Sequence, residues 1–381
     1  MRSKAVVLGL YEANGLGVVR SLGQEGIPVI GFHKKGLFPH AAHSRYIEDV
    51  HLVENESELL ARLMEESKKQ AEKAVIFATG DDYVLFCQDH APELQEHYHV
   101  PLVSGGNLHS LLEKRSNLEL GVSAGFRVPR SQHLNGGISL EGKIIVKPLT
   151  SVDTGKQDIF IFNDRQELER ERARLIEAYG NMIIMDYIEG GVKEHFEVHV
   201  YNSSRGPLIA GMVQKLLALR NSTHGSIGAI AQSVWVDELA TPAIELARLS
   251  GFNGAMDINL KQDPQSGEFY FTEVNYRTSG NLMLDTAAGL NLPVIIYLDL
   301  NGRDFSHLIR EPRTGVKWVS EGVRNTCLQD GLGIPIEEYG ECMSGEKVFV
   351  FFDSDDPLSI EKKDKDFESG EPKLKPQIEQ P

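Results

Sequence analysis

The stretch YFTEVNYRTSG, Tyr270 to Gly280, opens as an aromatic and β-branched run and then sets Glu273, Asn275 and Arg277 at every second position. Alternation along a strand puts those three side chains on one face. Upstream, GAMDINLK precedes the turn DPQSG, and a hairpin across that turn brings Asp257 beside them. Two carboxylates and an amide make a hard, oxygen-rich donor set suited to Mg²⁺, which typically also keeps waters or phosphate oxygens. Arg277 is placed to hold a phosphate or carboxylate with its two-pronged guanidinium. Singly, Asp257 could cap a turn and Glu273 could pair with Arg277 at a solvent edge; the chemistry lies in the combination.

Lysines supply the positive side of a nucleotide site. Lys147 ends the apolar strand KIIVKP, where an ammonium should not be buried without an anion. Lys114 sits in the helix-like LLEKRSN and Lys215 follows GMVQ on another strand. Exposure, snorkelling or an ordinary salt bridge is the competing explanation for each.

The chain has 381 residues, enough for two or three domains, with 41% hydrophobic and 25% charged residues. A net charge of −16 provides no electrostatic footprint for nucleic acid. No apolar run reaches the roughly 18 to 20 residues of a membrane span. The N-terminal MRSKAVVLGLYEANGLG has a basic start, but its apolar run is short and interrupted, which favours a first strand over a secretion signal. Cys87, Cys327 and Cys342 are odd in number and lack CxxC spacing, so a reducing, cytoplasmic setting is expected.

In chain order, AVVLG, a glycine-entered helix and PVIGF start a doubly wound α/β unit. A helix around Glu56 to Ala71 and the strand AVIFATG continue it. The turn GLYEANGLG lacks GxGxxG spacing, although its helix start could receive an acidic group. Arg45, Thr79, Asp81 and Asp82 lie near the ends of these elements, where α/β folds build sites. Arg45 is a candidate for a carboxylate and Asp81 for an amine, with surface pairing as the alternative. Strands and helices alternate through the centre of the chain, and Thr223 to Gly228 is a candidate closing loop. LPVIIYLDL is helix or strand; its periodicity does not decide. His195 and His199 are read as packing or hydrogen-bonding histidines rather than metal ligands.

Taken together, LEKRSN, IIVKP, MIIMDYIEGG, GMVQK, GAMDINLK and FTEVNYR, spanning Leu112 to Gly280, resemble the ATP-grasp carboxylate–amine ligases, including the D-aspartate ligase-like group. The resemblance implies an α/β and α+β protein. A Rossmann-like preATP-grasp domain would occupy 1–108, followed by a two-lobed ATP-grasp unit. Its first lobe and central region would cover 109–190, the magnesium-bearing second lobe 191–310 and a C-terminal completion 311–352. The charged tail 353–381 is expected to be a flexible extension.

By the same resemblance, Lys114 and Lys147 contact ATP phosphates or adenine, while Asp186, Tyr187 and Ile188 border the adenine. Glu194 contacts the ribose, Lys215 approaches phosphate, and Asp257, Glu273 and Asn275 coordinate Mg²⁺. Arg277 orients phosphate and the reacting carboxylate. Tyr276 stands where the family commonly has proline, and MDY where a glutamate often precedes the adenine contact. The implied reaction joins amino-acid or small-peptide carboxylate and amine substrates through an acyl phosphate. Transfer to a carrier-linked amine and a non-catalytic nucleotide-binding scaffold are the other readings. No interface pattern decides whether the chain is a homo-oligomer.

Overall fold

AVVL and AVIFA are apolar at every position, the pattern of central parallel strands covered on both faces. In the computed structural model, which describes residues 3–104, 108–149, 158–218, 228–321 and 336–358, they lie side by side. The first sheet is parallel, in the order β3-β2-β1-β4-β5. It comprises β1 (Ala5–Leu8), β2 (Val29–Lys34), β3 (Ile47–Val53), β4 (Ala74–Ala78) and β5 (Tyr98–His99). Ala5 and Val7 face the helices Glu12–Gly23 and Leu292–Leu300, whereas Val6 and Leu8 face Glu56–Ser67 and Asp81–Asp89. LPVIIYLDL is therefore a helix, apolar nearly all round because it is buried.

An antiparallel sheet follows, in the order β6-β9-β7-β8: β6 (Ser131–His133), β7 (Ile144–Pro148), β8 (Phe160–Phe162) and β9 (Met182–Asp186). The helix Arg165–Tyr179, capped by the Asp164 side chain, places Leu168 and Leu175 on Ile144, Val146 and Ile184. The polar residues of its other face remain in water.

The largest sheet has the order β14-β13-β10-β11-β12-β15-β16. Its strands are β10 (His195–Ser203), β11 (Gly206–Ala218), β12 (Gly228–Val234), β13 (Ala255–Gln262), β14 (Phe269–Asn275), β15 (Lys317–Val319) and β16 (Lys347–Phe349). Alternation decides what each face carries. Val198, Val200, Ile258 and Leu260 pack on Leu239, Ala243 and Leu246 of the helix Asp237–Ser250. The intervening Glu197, His199, Asp257 and Asn259 turn to the opposite face. Asn117 joins β14 to the helix Lys114–Ser123 by exchanging two hydrogen bonds with the Val274 backbone.

The expected flexible tail does not begin at residue 353. Asp356 is completely buried, held by Arg20, Ser44 and the Arg45 backbone, so Asp353 to Leu358 belongs to the folded unit. Residues 359–381 lie outside the described residues. Among the described residues no single helix is long and apolar enough to cross a membrane.

Candidate active site

The β13–β14 hairpin sets Asp257 opposite Asn275 and Asn259 opposite Glu273. Asn275 Nδ2 donates to Asp257 Oδ2 at 3.3 Å, and Asn259 Nδ2 donates to Oδ1 at 3.0 Å. Asp257 is only 4% exposed. Burial, reinforced by the Glu197 charge, pushes its pKa up to about 6, although His199, Arg277 and Lys215 pull the other way. A buried carboxylate resisting ionisation, with a second carboxylate and an amide on the neighbouring strand, is a donor set that fits Mg²⁺. Tyr276 points to the far side and packs edge-on against Phe252, with ring centroids 5.3 Å apart. Tyr276 thus leaves the polar positions on either side of it undisturbed.

Next to this hairpin, β10 inserts Glu197, which the sequence analysis did not select. Lys215 Nζ lies 2.8 Å from Glu197 Oε1, while Asn281 Nδ2 donates to Oε2 at 2.6 Å and Ser279 Oγ at 3.5 Å. Burial alone would lower the Lys215 pKa, but Glu197, Asp257 and Glu273 raise it, so the ammonium keeps its proton. Burial opposes ionisation of Glu197 too; Lys215 and His199 overcome it and hold the carboxyl well below its ordinary range. Glu194, the expected ribose contact, accepts a hydrogen bond from Gly191 N at 2.6 Å and so braces its own turn.

Arg277 brings in the N-terminal unit. Its Nε lies 3.2 Å from Asp81 Oδ1, at the start of the helix that follows β4. Asn14 Nδ2 bridges the Thr79 and Thr278 carbonyls at 3.2 Å each, fastening the two units at the same place. From the small sheet, Lys147 is half-buried; burial lowers its pKa, Glu273 opposes that shift and Lys114 adds to it. Lys114 begins its helix, with its backbone N–H bound to Leu149 O at 2.8 Å. Lys147, Lys215 and Arg277 thus converge on the carboxylate-bearing hairpin from three directions.

No family model matches the chain. It is 23% identical over 256 residues to the D-aspartate ligase of Enterococcus faecium (strain Aus0004), a match covering 62% of this chain. The matched region spans about three fifths of that relative's length, 61%. Among solved structures, the biotin carboxylase domain of Hydrogenobacter thermophilus 2-oxoglutarate carboxylase, in complex with MgADP, ADP and bicarbonate, superposes with a TM-score of 0.64. That superposition covers 83% of this chain and 74% of the other, at 14% identity. The L-amino acid ligase from Bacillus licheniformis gives a TM-score of 0.56 at 15% identity, over 79% and 74% of the two chains. The fold is ATP-grasp.

Within this ATP-grasp fold, the segment after β9 runs beside the basic end of the large sheet. Tyr187 is buried, with Lys143 Nζ 4.3 Å and Lys261 Nζ 4.6 Å from its ring centroid. The Asp186 carboxylate is gripped by Arg130 at 2.6 and 3.0 Å, and its backbone N–H donates to Arg130 O at 3.0 Å, while Ile188 beyond Tyr187 is half-buried. His195, between Lys215 and Lys261, has its pKa lowered to about 3 by burial and by those charges, so its ring is neutral.

Lys261 yields a pH prediction. Burial lowers its pKa from 10.5 to about 8, with Glu189 and Glu194 opposing and Lys143 and Lys147 adding. Below pH 8 the ammonium is present in both folded and unfolded chains, so the folded state bears the full cost of burying it. That cost fades as pH rises from 8 toward 10.5. Lys261→Met is therefore expected to raise the urea midpoint at pH 7, with the advantage shrinking across that window.

Thr79 and Arg45, two of the expected substrate residues, are engaged within the fold. The single Thr79 hydroxyl proton is shared between Leu8 O and Gly9 O, pinning β4 to the end of β1 where Gly9 turns at φ 95°. Arg45 precedes β3, at the amino edge of the parallel sheet, and binds Asp355 O and Asp356 Oδ1 through its side chain and backbone. The site lies at the opposite, carboxyl edge. The expected closing loop lies outside the described residues as far as residue 227.

Proposed function

We propose that this chain is an ATP-dependent carboxylate–amine ligase acting on amino-acid or small-peptide substrates. The observation that carries the reading is the convergence of Lys147, Lys215 and Arg277 on buried Asp257 and half-buried Glu273 and Asn275. The relatives support it: one is named a D-aspartate ligase, another an L-amino acid ligase, and a third is described with MgADP.

Asp257, Glu273 and Asn275 would hold Mg²⁺, which when bound neutralises charge on the phosphates. Lys147 and Lys215 would position the terminal phosphoryl group for attack by a substrate carboxylate oxygen. The bond to ADP breaks as the acyl phosphate forms. Arg277 would orient the carboxylate, and Asp81, already paired with Arg277, would meet the substrate ammonium. An amine then attacks the acyl carbon, phosphate departs, and an amide remains.

The test is phosphate release by the purified chain across pairs of amino acids, with mass detection of products. A condensed product that appears only with both partners supports the reading. ATP consumption with no condensed product from any free amine would turn it toward a carrier-linked acceptor. Mg-ATP binding without substrate-dependent turnover would replace it with a nucleotide-binding scaffold.

A further inference from the structure

The polar face of the large sheet carries an imidazole to which the ligase reading assigns no task. His199, 2% exposed, stands on β10 directly opposite Asp257 of β13. Its Nδ1 lies 2.6 Å from Oδ2 of Asp285, a buried residue of the helix Leu282–Ala288. The Asp285 carboxylate occupies the space above Gly211, where any Cβ would collide with it. The ring is thereby fixed, with Nε2 turned toward Glu197 Oε2 at 3.7 Å and Asp257 Oδ1 at 4.0 Å. Both distances exceed a hydrogen bond, so among the described residues buried Nε2 meets the two carboxylates as ion-pair partners only. Burial would lower the ring's pKa, but Asp285, Glu197 and Asp257 raise it, and a bound cation would take the place of the Nε2 proton.

We propose that Glu197, His199 and Asp257 form a second cation site, taking a divalent transition-metal ion beside the magnesium position. The three ligand atoms lie within 4.8 Å of one another. Donors about 2.1 Å from a common ion stand about 3 to 4 Å apart, depending on angle, so small adjustments close the set. A histidine that ligates a metal usually gives its other N–H to a carboxylate, and Asp285 is that carboxylate. The imidazole favours a borderline ion such as Co²⁺ or Zn²⁺ over Mg²⁺, and Mn²⁺, a harder ion that still accepts an imidazole nitrogen, is the paramagnetic probe for the site. Asp257 would bridge the two positions, since its Oδ2 faces Asn275 and its Oδ1 faces His199. Glu197 Oε2 accepts firmly from Asn281 at 2.6 Å, whereas the Ser279 contact at 3.5 Å is long enough to be exchanged for a metal; Oε1 belongs to Lys215. The packing or hydrogen-bonding role read for His199 from sequence is met at Nδ1 by Asp285, and the proposal adds a ligand role at Nε2.

The experiment adds Mn²⁺, without nucleotide or amino acid, to the chelator-stripped full chain and reads imidazole nitrogen coupling by pulsed EPR. Its outcome is independent of the ligase reading. Coupling is expected in the wild type, retained in Glu273→Gln and lost in His199→Gln. Asp285→Asn is expected to weaken Mn²⁺ about 10- to 100-fold. Absence of Mn²⁺ binding, or bound Mn²⁺ without nitrogen coupling in the wild type, overturns the site whatever the variants do. Coupling that survives in folded His199→Gln overturns it equally, because another imidazole such as His195 would then be the ligand.

Discussion

Glu273→Gln is expected to cut acceptor-dependent phosphate release about 10²- to 10³-fold, the scale on which removal of one preorganised electrostatic group slows an enzyme. The substitution preserves shape and removes one charge. That charge acts on the three cations around it: Glu273 raises the pKa values of Lys147, Lys215 and Arg277. Losing it unbalances the site twice, by weakening the magnesium donor set and by leaving those cations less compensated. The defect should therefore be larger at low Mg²⁺ and partly relieved as Mg²⁺ is raised. Turnover measured over an Mg²⁺ series, with and without amine, checks this. Unchanged ATP consumption that needs no acceptor would sink the magnesium-dependent ligase site.

What could be read beforehand follows from the range of the interactions involved. The Asp257, Glu273 and Asn275 set is local: two strands, one short turn and a period of two place it. Glu197 is not local. EHFEVHVY offers polar residues at alternate positions, and only the placement of β10 between β11 and β13 shows which of them meets Lys215 and Asn281. Asp285 is more hidden still, because in LMLDTAA it looks like a helix-surface residue until Gly211 and His199 are seen beneath it. The nearness of Arg45 and Thr79 to element ends was legible, and Thr79 does stand at the carboxyl edge, but the edge on which Arg45 falls was not legible. Parallel strands build sites at their carboxyl edge, which excludes Arg45, and the Thr79 hydroxyl is satisfied by backbone there. LPVIIYLDL was undecided because burial on all sides erases periodicity.

The same long-range blindness hid a fully buried ion pair, and here a large effect of breaking it is expected. Arg20 and Asp356, 336 residues apart, are both 0% exposed, with Arg20 Nε 2.8 Å from Asp356 Oδ2. Arg20 also donates to the carbonyls of Val350, Phe351 and Asp356, while Asp356 accepts from Ser44 Oγ and Arg45 N. The C-terminal segment is thus fastened to the first helix by a network whose members have no water to fall back on. Removing one partner leaves a buried charge uncompensated, so Asp356→Ala and Arg20→Ala should each cost about 3 to 5 kcal/mol in urea unfolding. Arg20→Met with Asp356→Leu should recover much of that loss, because exchanging a buried ion pair for apolar groups is often close to neutral. Single variants that unfold at the wild-type midpoint would show that water already reaches the pair. A double variant no better than the singles would instead place the stability in the backbone carbonyls that Arg20 gathers, which no apolar side chain can satisfy.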